Sequence, residues 1–289
     1  MRDSTTDARY VVITGASTGI GEACALLLDR KGFSVFAGVR NPEAAERLNA
    51  ESSENLRTLM IDVTDIELIE EAVAGVHEVI GNNGIHGLVN NAGITIGGPL
   101  EFLPIDALRE QLEVNVIGQI AVTQAFLPLI RQGNGRIVIV GSTSGWNVFP
   151  LTGAYSASKF AIEAIADTLR IELLPWNIHV SLIEPGSVKT PIWNKSLELA
   201  DRIMSELPDM AFQLYGDLIQ SVQKILIRRG QTGIQPKEVA QAVTHALIAR
   251  RPKTRYFVGS DAKLLVAFAK YVPDRVRDAL IARLIGISG

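Results

Sequence analysis

Cysteine, histidine and long apolar runs are scarce in this sequence of 289 residues. The one cysteine, Cys24, lies in an apolar helical pattern, so we expect neither a disulfide framework nor a cysteine-based metal cluster. The four histidines do not have the spacing of metal ligands, and no metal site is expected. A reducing, cytoplasmic location is the expectation that follows from this composition.

An excess of one charge and a membrane-spanning run are missing too. The formal net charge is −3 and neither sign forms a long run, which argues against a nucleic-acid groove or a polybasic membrane anchor. No segment approaches the ~20 uninterrupted apolar residues that a membrane span needs. Residues 1–9 are polar and contain no apolar signal region. We therefore expect no nucleic-acid partner and no integral membrane segment.

Apolar residues, by contrast, are plentiful. They make up 47% of the chain against 20% charged residues, a balance that suits one large domain or two small ones. From Tyr10 to Ile183, short β-branched apolar runs alternate with segments of helical spacing. This alternation predicts an α/β fold, a Rossmann-like doubly wound parallel sheet with helices on both faces. The predicted strands are 10–14, 33–39, 56–61, 85–89, 135–140, 179–183 and 255–258, and the predicted helices are 22–31, 42–50, 65–80, 103–131, 153–176 and 236–250.

A glycine-rich turn joins the first predicted strand to the first helix. Gly15, Gly19 and Gly21 are spaced G-x-x-x-G-x-G within it. Glycines let the backbone approach a ligand closely, and the N-terminus of the following helix offers free N–H groups to a pyrophosphate. Ligands of such sheets bind at the carboxyl ends of the strands. Further segments that follow predicted strands should converge at the same edge: Arg40, Asp62, Asn90–Gly93, Ser142 and Pro185–Gly186.

The end of the second predicted strand bears on the choice of dinucleotide. Many NAD-binding folds place an acidic residue there, which holds the ribose 2′-hydroxyl. Here Gly38 offers no side chain, and Arg40 follows with a forked guanidinium that suits a 2′-phosphate. A solvated surface arginine is the alternative. The sequence therefore favours NADP(H), with NAD(H) as the second choice.

Two features of the predicted helices indicate chemistry. Tyr155 and Lys159 are four residues apart, which places both side chains on one helix face. A phenol titrates near pH 10, but an adjacent ammonium lowers its pKa and lets it exchange a proton with an alcohol or ketone oxygen near neutral pH. A surface pair on an amphipathic helix is the alternative. Asn115, an amide among apolar residues, is either a satisfied buried polar group or the mark of a local backbone distortion.

In this order and spacing, the motifs resemble those of the short-chain dehydrogenase/reductase family over nearly the whole chain. The residues that carry the resemblance are Thr14–Gly21, Asn90–Gly93, Asn115, Ser142, Tyr155–Lys159 and Pro185–Thr190. The resemblance implies one dinucleotide-binding and catalytic domain over residues 1–289, with no metal. It also implies that Ser142 orients the substrate oxygen and that Tyr155 exchanges a proton with it. Lys159 would lower the pKa of Tyr155 and hold the nicotinamide ribose, and Asn115 would support a water linked to Lys159.

The same resemblance implies the cofactor contacts. Asp62 and Val63 would bracket the adenine, and Asn91 the adenine-side ribose. Thr190 would contact the nicotinamide carboxamide. NADP-preferring relatives often carry a basic residue before the second glycine, where this chain has Thr18, so Arg40 is the determinant that remains. The full predicted set is Gly15, Ser17, Thr18, Gly19, Ile20, Gly21, Arg40, Asp62, Val63, Asn91, Ala92, Gly93, Tyr155, Lys159, Pro185, Gly186, Val188 and Thr190.

Residues 190–235 depart from the alternation and are rich in Leu, Ile, Met and aromatic residues. In the family resembled, the corresponding insertion folds over the substrate, so we expect a lid here. Packing on the core or on a second subunit is the alternative. Residues 260–289 are expected to form a helical C-terminal extension. Its helix 274–285 carries an apolar face that could cover its own domain, a neighbouring subunit or a membrane surface: Val276, Leu280, Ile281, Leu284 and Ile285.

Apolar residues near the predicted reaction centre indicate the substrate class. The expected pocket wall is Ile94, Ile96, Trp146, Val148, Phe149 and Leu151. Such a wall favours a lipophilic ketone, aldehyde or secondary alcohol, with steroid-like and retinoid-like compounds as candidates. A 3-oxoacyl-carrier-protein reductase and a non-catalytic dinucleotide sensor are the alternatives, although sensors typically lose the tyrosine or the lysine. The assembly expected is a homodimer or homotetramer.

Overall fold

The computed structural model describes residues 9–286, which contain a seven-stranded sheet and the helices around it. The strands are β1 (Tyr10–Ile13), β2 (Ser34–Val39), β3 (Leu56–Met60), β4 (Gly87–Asn90), β5 (Arg136–Val140), β6 (His179–Pro185) and β7 (Arg255–Val258). The α-helices are α1 (Gly19–Arg30), α2 (Pro42–Glu51), α3 (Ile66–Ile80), α4 (Ile105–Leu112), α5 (Gly118–Gln132), α6 (Gly153–Glu172), α7 (Ile192–Ser205), α8 (Asp209–Thr232), α9 (Pro236–Ile248), α10 (Ser260–Tyr271) and α11 (Asp274–Ile285).

The strand order confirms the predicted doubly wound fold. It is β3-β2-β1-β4-β5-β6-β7, with every neighbouring pair parallel. After β3 the chain crosses to the other half of the sheet, where β4 pairs with β1, and this reversal of strand order opens a crevice at the carboxyl ends of β1 and β4. One face packs against α1 and α9, and the other against α3, α5 and α6. Because helices cover both faces, the inner strands are nearly continuous apolar runs, the pattern from which they were predicted.

Side-chain caps fix where two of these helices begin. Asn41 accepts a hydrogen bond from the backbone N–H of Ala44 at 2.9 Å, directly after β2, and Pro42 occupies the first turn. Asp65 accepts one from the N–H of Leu68 at 3.1 Å, shortly after β3. Each cap lies at the end of a short loop between a strand and the next helix. These two loops contain Arg40 and Asp62, which therefore lie at the carboxyl edge of the sheet.

Two predicted helices differ from those observed. The predicted helix 103–131 is interrupted by a π-helical turn at Glu113–Ile117, which separates α4 from α5 and contains Asn115. The predicted helix 153–176 ends at Glu172 and is followed by a 3₁₀ turn, Leu174–Trp176. Pro175 explains this end, because proline has no N–H to continue the α-helical hydrogen bonds. The π-helical turn confirms the backbone distortion considered for Asn115.

The run Ile105–Gln132 has the length and apolar composition of a membrane-crossing helix. Within it, α5 buries Val122, Phe126 and Ile130 against one face of the sheet. The packing of α5 is that of a core helix.

Helices α7 and α8 form an excursion from the sheet whose two ends are tied together. Lys189 donates from its backbone N–H to the carbonyl of Ile234 at 2.9 Å, and Ile234 donates to the carbonyl of Ser187 at 2.9 Å. The excursion therefore begins and ends beside the carboxyl end of β6.

The C-terminal extension is helical, as predicted, and consists of α10 and α11, with α11 against α8. Its predicted apolar face is only partly covered within this chain. Ile285 is buried, whereas Val276, Leu280 and Leu284 are about half exposed or more. The last residues of the predicted extension, 287–289, and the polar residues 1–8 lie outside the described range.

Candidate active site

One cleft of about 390 Å³ opens at the carboxyl ends of the strands, and it brings nearly all the predicted site residues together. The predicted residues that line it are Gly15, Ser17, Thr18, Gly19, Ile20, Arg40, Asp62, Val63, Asn91, Ala92, Gly93, Asn115, Ser142, Tyr155, Lys159, Pro185, Gly186, Val188 and Thr190. Gly21 is the predicted residue that does not line it. A Cβ at Gly21 would lie 2.2 Å from the carbonyl oxygen of Gly15, so this glycine permits close packing under the turn instead.

The glycine turn presents backbone rather than side chains to the cleft. Gly15 has φ +65°, and a Cβ there would lie 2.8 Å from the Cα of Ala92. Thr18 precedes α1 without capping it through its side chain, so the N–H groups of the first helical turn remain available to an anion. This is the geometry expected of a pyrophosphate cradle.

Asn91 braces that turn with its side chain. Its amide nitrogen donates to the carbonyls of Thr14 and Gly15, both at 3.0 Å. The hydroxyl of Thr14 accepts in return from the backbone N–H groups of Asn91 and Ala92, at 3.0 and 3.1 Å. The side-chain amide expected at a ribose is thus engaged with the glycine turn, and Asn91 faces the cleft beside it.

Arg40 and Asp62 lie together at one end of the cleft. The Arg40 guanidinium is 3.9 Å from the Asp62 carboxylate, and the Arg40 side chain is 63% exposed, so it is free to turn toward a ligand. A Cβ at Gly38 would lie 2.8 Å from the carbonyl oxygen of Ile13, which leaves no room for a carboxylate at that position. Arg47 was not predicted as a site residue; its guanidinium donates to Glu22 and to the carbonyl of Ser17 and connects α2 to the glycine turn.

Ser142, Tyr155 and Lys159 stand together at the middle of the cleft. The Ser142 hydroxyl accepts from the N–H of Ser144 at 3.1 Å and hydrogen-bonds the Tyr155 phenol. The Lys159 ammonium is almost fully buried and donates to the carbonyl of Val140 at 2.9 Å. It lies 5.7 Å from the centroid of the Tyr155 ring.

Burial sets the titration of both side chains. It raises the pKa of Tyr155, against a smaller lowering by the hydrogen bond with Ser142. It also lowers the pKa of Lys159 to about 8, with a smaller opposing effect of the Glu163 charge. The ammonium of Lys159 is directed to a backbone carbonyl here, so its lowering of the Tyr155 pKa stays a prediction.

Asn115 connects three parts of the site through one side chain. Its carbonyl oxygen accepts from the N–H of Ile94 at 2.9 Å, and its amide donates to the carbonyl of Ile94 and the hydroxyl of Ser158, each at 3.0 Å. The π-helical turn places this fully buried amide between the segment after β4 and the helix that carries Tyr155. It therefore fixes the separation of those two walls of the cleft.

Two buried carboxyl groups, which we did not predict from the sequence, lie next to the segment that follows Ser142. Glu163, on α6, and Glu184, at the end of β6, each have one buried carboxyl oxygen without a hydrogen-bond partner among the described residues, and burial raises the pKa of both, which favours a proton on one of them. Arg255 pairs with Glu163 at 2.9 Å and approaches Glu184 at 3.5 Å, and the indole N–H of Trp146 donates to Glu184. Burial and the neighbouring Glu163 raise the pKa of Glu184 to about 8.

The far wall of the cleft comes largely from α7 and α8. Of the side chains expected there, Ile94, Phe149 and Leu151 line the cleft, but Ile96, Trp146 and Val148 do not. Ile96 is buried in a separate apolar cluster, Trp146 turns to Glu184 and Val148 faces solvent. The residues that the two helices contribute are Ile192, Trp193, Ser196, Leu197, Leu199, Ala200, Met204, Ile219, Val222, Gln223, Leu226, Ile227 and Arg229.

These features fit a nicotinamide dinucleotide. The uncapped N-terminus of α1 and the glycine turn suit its pyrophosphate, and a phenol, a hydroxyl and an ammonium stand together further along the same cleft. A doubly wound parallel sheet with such a cleft defines the class of protein, a dinucleotide-binding oxidoreductase with an acid–base group.

Comparison with known proteins identifies the family. A family model described as short chain dehydrogenase matches residues 9–200. The chain is 39% identical to retinol dehydrogenase 5 of Mus musculus over 282 residues, which cover 96% of this chain and 88% of the relative. It is 35% identical to the NADPH-dependent 3-dehydrocapnine reductase of Ornithobacterium rhinotracheale, covering 94% and 95%. It is 37% identical to 17-beta-hydroxysteroid dehydrogenase type 6 of Bos taurus, covering 95% and 88%.

Solved structures agree with these relatives. A short-chain dehydrogenase from Streptomyces avermitilis superposes with a TM-score of 0.76 at 28% identity, covering 97% of this chain and 96% of that one. The closed form of a serine dehydrogenase complexed with NADP⁺ superposes with a TM-score of 0.71 at 26% identity, covering 86% and 94%. The chain belongs to the short-chain dehydrogenase family, and it is an oxidoreductase that acts on alcohol or ketone groups with a nicotinamide dinucleotide.

Proposed function

We propose that the protein interconverts a lipophilic ketone or aldehyde and the corresponding alcohol, with NADP(H) as the preferred cofactor and NAD(H) as the second choice. One observation carries the proposal. A single cleft joins the glycine turn and Arg40 at one end, Ser142, Tyr155 and Lys159 in the middle, and the apolar side chains of α7 and α8 at the other.

The bound dinucleotide supplies or accepts the hydride, and the chain positions and protonates the substrate. Ser142 donates a hydrogen bond that orients the substrate oxygen, and Tyr155 exchanges a proton with the same oxygen. An ordinary phenol holds a proton at neutral pH, and burial raises the pKa of Tyr155 further, so Tyr155 has the form needed to protonate a carbonyl oxygen during reduction. Lys159 holds the nicotinamide ribose with its ammonium, and Asn115 fixes the walls on either side.

The other site residues hold the dinucleotide. The segment Gly15–Ile20 receives the pyrophosphate, Asp62 and Val63 border the adenine, and Arg40 pairs with the 2′-phosphate of NADP(H). Asn91, Ala92 and Gly93 border the ribose on the adenine side. Pro185, Gly186, Val188 and Thr190 face the nicotinamide from the end of β6.

Residues 190–235 act as a substrate lid in this proposal. The described side chains that α7 and α8 turn toward the cleft are mostly aliphatic or aromatic, so they favour a substrate that buries apolar area, at about 25 cal/mol per Å². The names of two relatives refer to a retinoid and a steroid, which supports lipophilic substrates of that kind.

The test is kcat/KM along a homologous series of neutral 2-alkanones with NADPH. We expect it to rise by up to about fourfold for each added CH₂ until the cavity is filled, the equivalent of ~0.8 kcal/mol per buried CH₂. Leu226→Ala should reduce the slope, because Leu226 lines the cleft. Leu214→Ala is the matched control, since Leu214 lies on the same helix but is 59% exposed. A flat or falling series would leave the lid with a structural role alone.

Two alternatives make different predictions. A 3-oxoacyl-carrier-protein reductase would turn over a carrier-bound 3-oxoacyl chain far better than any free ketone. A non-catalytic sensor would bind the dinucleotide without turnover, but Tyr155 and Lys159 are both in place. A cytoplasmic location and a homodimer or homotetramer remain parts of the proposal. Fractionation of cells and light scattering of the purified protein test them.

A further inference from the structure

Arg229 is the charged side chain that the lid contributes to the cleft, among the lid side chains that the structure describes. It lies near the end of α8, and the side chains that line the cleft before it on this helix are Ile219, Val222, Gln223, Leu226 and Ile227. Its guanidinium carbon is 5.0 Å from the centroid of the Phe149 ring, in the segment between Ser142 and Tyr155. A cation is therefore held beside the catalytic segment in an otherwise uncharged lid wall.

The structure gives Arg229 no carboxylate partner within 4.0 Å among residues 9–286. The acidic group whose charge favours it is Asp261, and both oxygens of Asp261 already accept backbone N–H groups, from Ser187 at 3.0 Å and Ala262 at 2.9 Å. Burial lowers the pKa of Arg229, but a guanidinium stays charged in proteins. A partly buried cation without a close anion is costly, and an anion that enters the cleft would offset that cost.

We propose that the physiological substrate is an amphiphile, with an apolar body along α7 and α8 and an anionic head group, such as a carboxylate, sulfonate or phosphate, paired with Arg229. The inference rests on the proposed function for the identity of the reacting cleft, and it adds the charge of the substrate. The planar guanidinium can bind two oxygens of such a head group at once, which fixes the orientation of the substrate as well as its affinity. The apolar lid then supplies the remaining binding energy.

The experiment measures equilibrium binding of unreactive probes to the NADP⁺-saturated enzyme by calorimetry. The probes are decanoate, methyl decanoate and acetate. We expect decanoate to bind at least tenfold more tightly than its methyl ester, because the ester lacks the charge, and acetate to bind more weakly than either. Equal binding of the acid and the ester would overturn the proposal, and so would acetate binding as tightly as decanoate, which would indicate a site for any small anion.

Variants locate the effect. Arg229→Gln should abolish the preference for the acid over the ester, whereas Arg229→Lys should retain at least threefold of it. Arg228→Gln is the matched control, because Arg228 is the exposed neighbour on the same helix and does not line the cleft. A preference that survives in Arg229→Gln would contradict the assignment. If Arg229→Gln does not fold, the preferences of wild type, Arg229→Lys and Arg228→Gln for the acid over the ester still test whether Arg229 pairs with the anion.

The two proposals fail separately. If neutral 2-alkanones are reduced and the enzyme shows no preference for the acid, the proposed function stands and the anionic head group is wrong. If decanoate binds through Arg229 but no ketone of either charge is reduced, the anion site stands and the proposed function is wrong.

Discussion

The phenol of Tyr155 holds its proton at neutral pH, as an ordinary phenol does, and burial raises its pKa further. An adjacent ammonium would oppose this, but Lys159 donates to the Val140 carbonyl and titrates at about 8 itself, again because it is buried. For both side chains, the charged form is the one that burial disfavours. At the scale of the residue, the site is therefore prepared to donate a proton rather than to accept one.

This protonation state predicts opposite pH profiles for the two directions of the reaction. The kcat for reduction should stay constant or fall as pH rises from 6 to 9, since the required phenol is present at the start. The kcat for oxidation should rise over the same range, because proton removal needs the ionised phenol. Steady-state rates with a neutral ketone and its alcohol measure both. Reduction that accelerates with pH would show that Tyr155 does not act as the acid.

Arg40 determines the cofactor preference in this account. Arg40→Leu should raise the KM for NADP(H) by about tenfold, the lower end of the range for a hydrogen bond to a charged group, because this arginine is well exposed. The KM for NAD(H) should change little, since NAD(H) has no 2′-phosphate. Arg57→Leu is the control, an exposed arginine on β3 outside the cleft. A wild-type enzyme that already has a higher kcat/KM with NAD(H) would contradict the role of Arg40.

At the scale of the element, the carboxyl pair links α6, β6 and β7 behind the catalytic segment. Glu163 comes from α6, Glu184 from β6 and Arg255 from β7, and Trp146 reaches Glu184 from the segment after Ser142. One guanidinium faces both carboxyl groups, and also pairs with Asp167 at 2.9 Å. Burial, and after it the excess of acidic groups, is why the folded protein retains a proton on the pair.

The retained proton makes folding stability depend on pH. An unfolded Glu184 titrates near 4.5, and the folded one at about 8, so the folded state binds more protons between these values. The free energy of unfolding should therefore fall as pH rises from 5 to 8. Glu184→Gln mimics the protonated carboxyl, so it should remove part of this fall and be more stable than wild type at pH 8 by roughly 1–3 kcal/mol.

Thermal unfolding at pH 5 and pH 8 measures that difference. Glu172→Gln, an exposed position at the end of α6, is the control and should shift neither value. If Glu184→Gln is less stable than wild type by the same amount at both pH values, Glu184 is ionised throughout and the shared proton is wrong.

Elements that depend on local sequence could be predicted, and those that depend on contacts between distant residues could not. The six strands from Tyr10 to Ile183 and the glycine turn were evident because burial on both faces and a tight turn leave a signal within a few residues. The carboxyl pair left no such local signal in the sequence, since Glu163, Glu184 and Arg255 are far apart in the chain and each resembles a surface charge. The same holds for Arg229, whose neighbour Phe149 is on another element.

Two residues that the sequence places at the cleft do not line it, for physical reasons of the same kind. Gly21 belongs to the motif by its spacing, but the 2.2 Å approach of a Cβ to the Gly15 carbonyl shows that it packs the turn rather than facing the ligand. Trp146 is apolar by composition, yet its indole N–H finds a buried carboxyl and turns the ring away from the cleft. Spacing and composition do not report the direction of a side chain.

At the scale of the whole molecule, the proposed function has the sheet position the cofactor and the lid position the substrate. Apart from Tyr155 and Lys159 on α6, the proposed cofactor residues that line the cleft end a strand, follow one or begin the next helix, so the sheet places that half of the cleft. The substrate half comes from α7 and α8, whose two ends are joined beside β6 by the hydrogen bonds between Ser187, Lys189 and Ile234. The proposed reaction takes place where the two halves meet, at Tyr155.

The central claim is that Tyr155 performs proton transfer in a dinucleotide-dependent reaction, and Tyr155→Phe tests it most directly. The measurement pairs single-turnover reduction of a long-chain 2-alkanone by NADPH with the Kd of NADPH for the same variant. The account predicts a rate lower by at least about 10²–10⁴-fold, the usual contribution of a general acid, with a Kd within about threefold of wild type. A variant that reduces the ketone at nearly the wild-type rate would contradict the assignment of Tyr155 and the mechanism built on it.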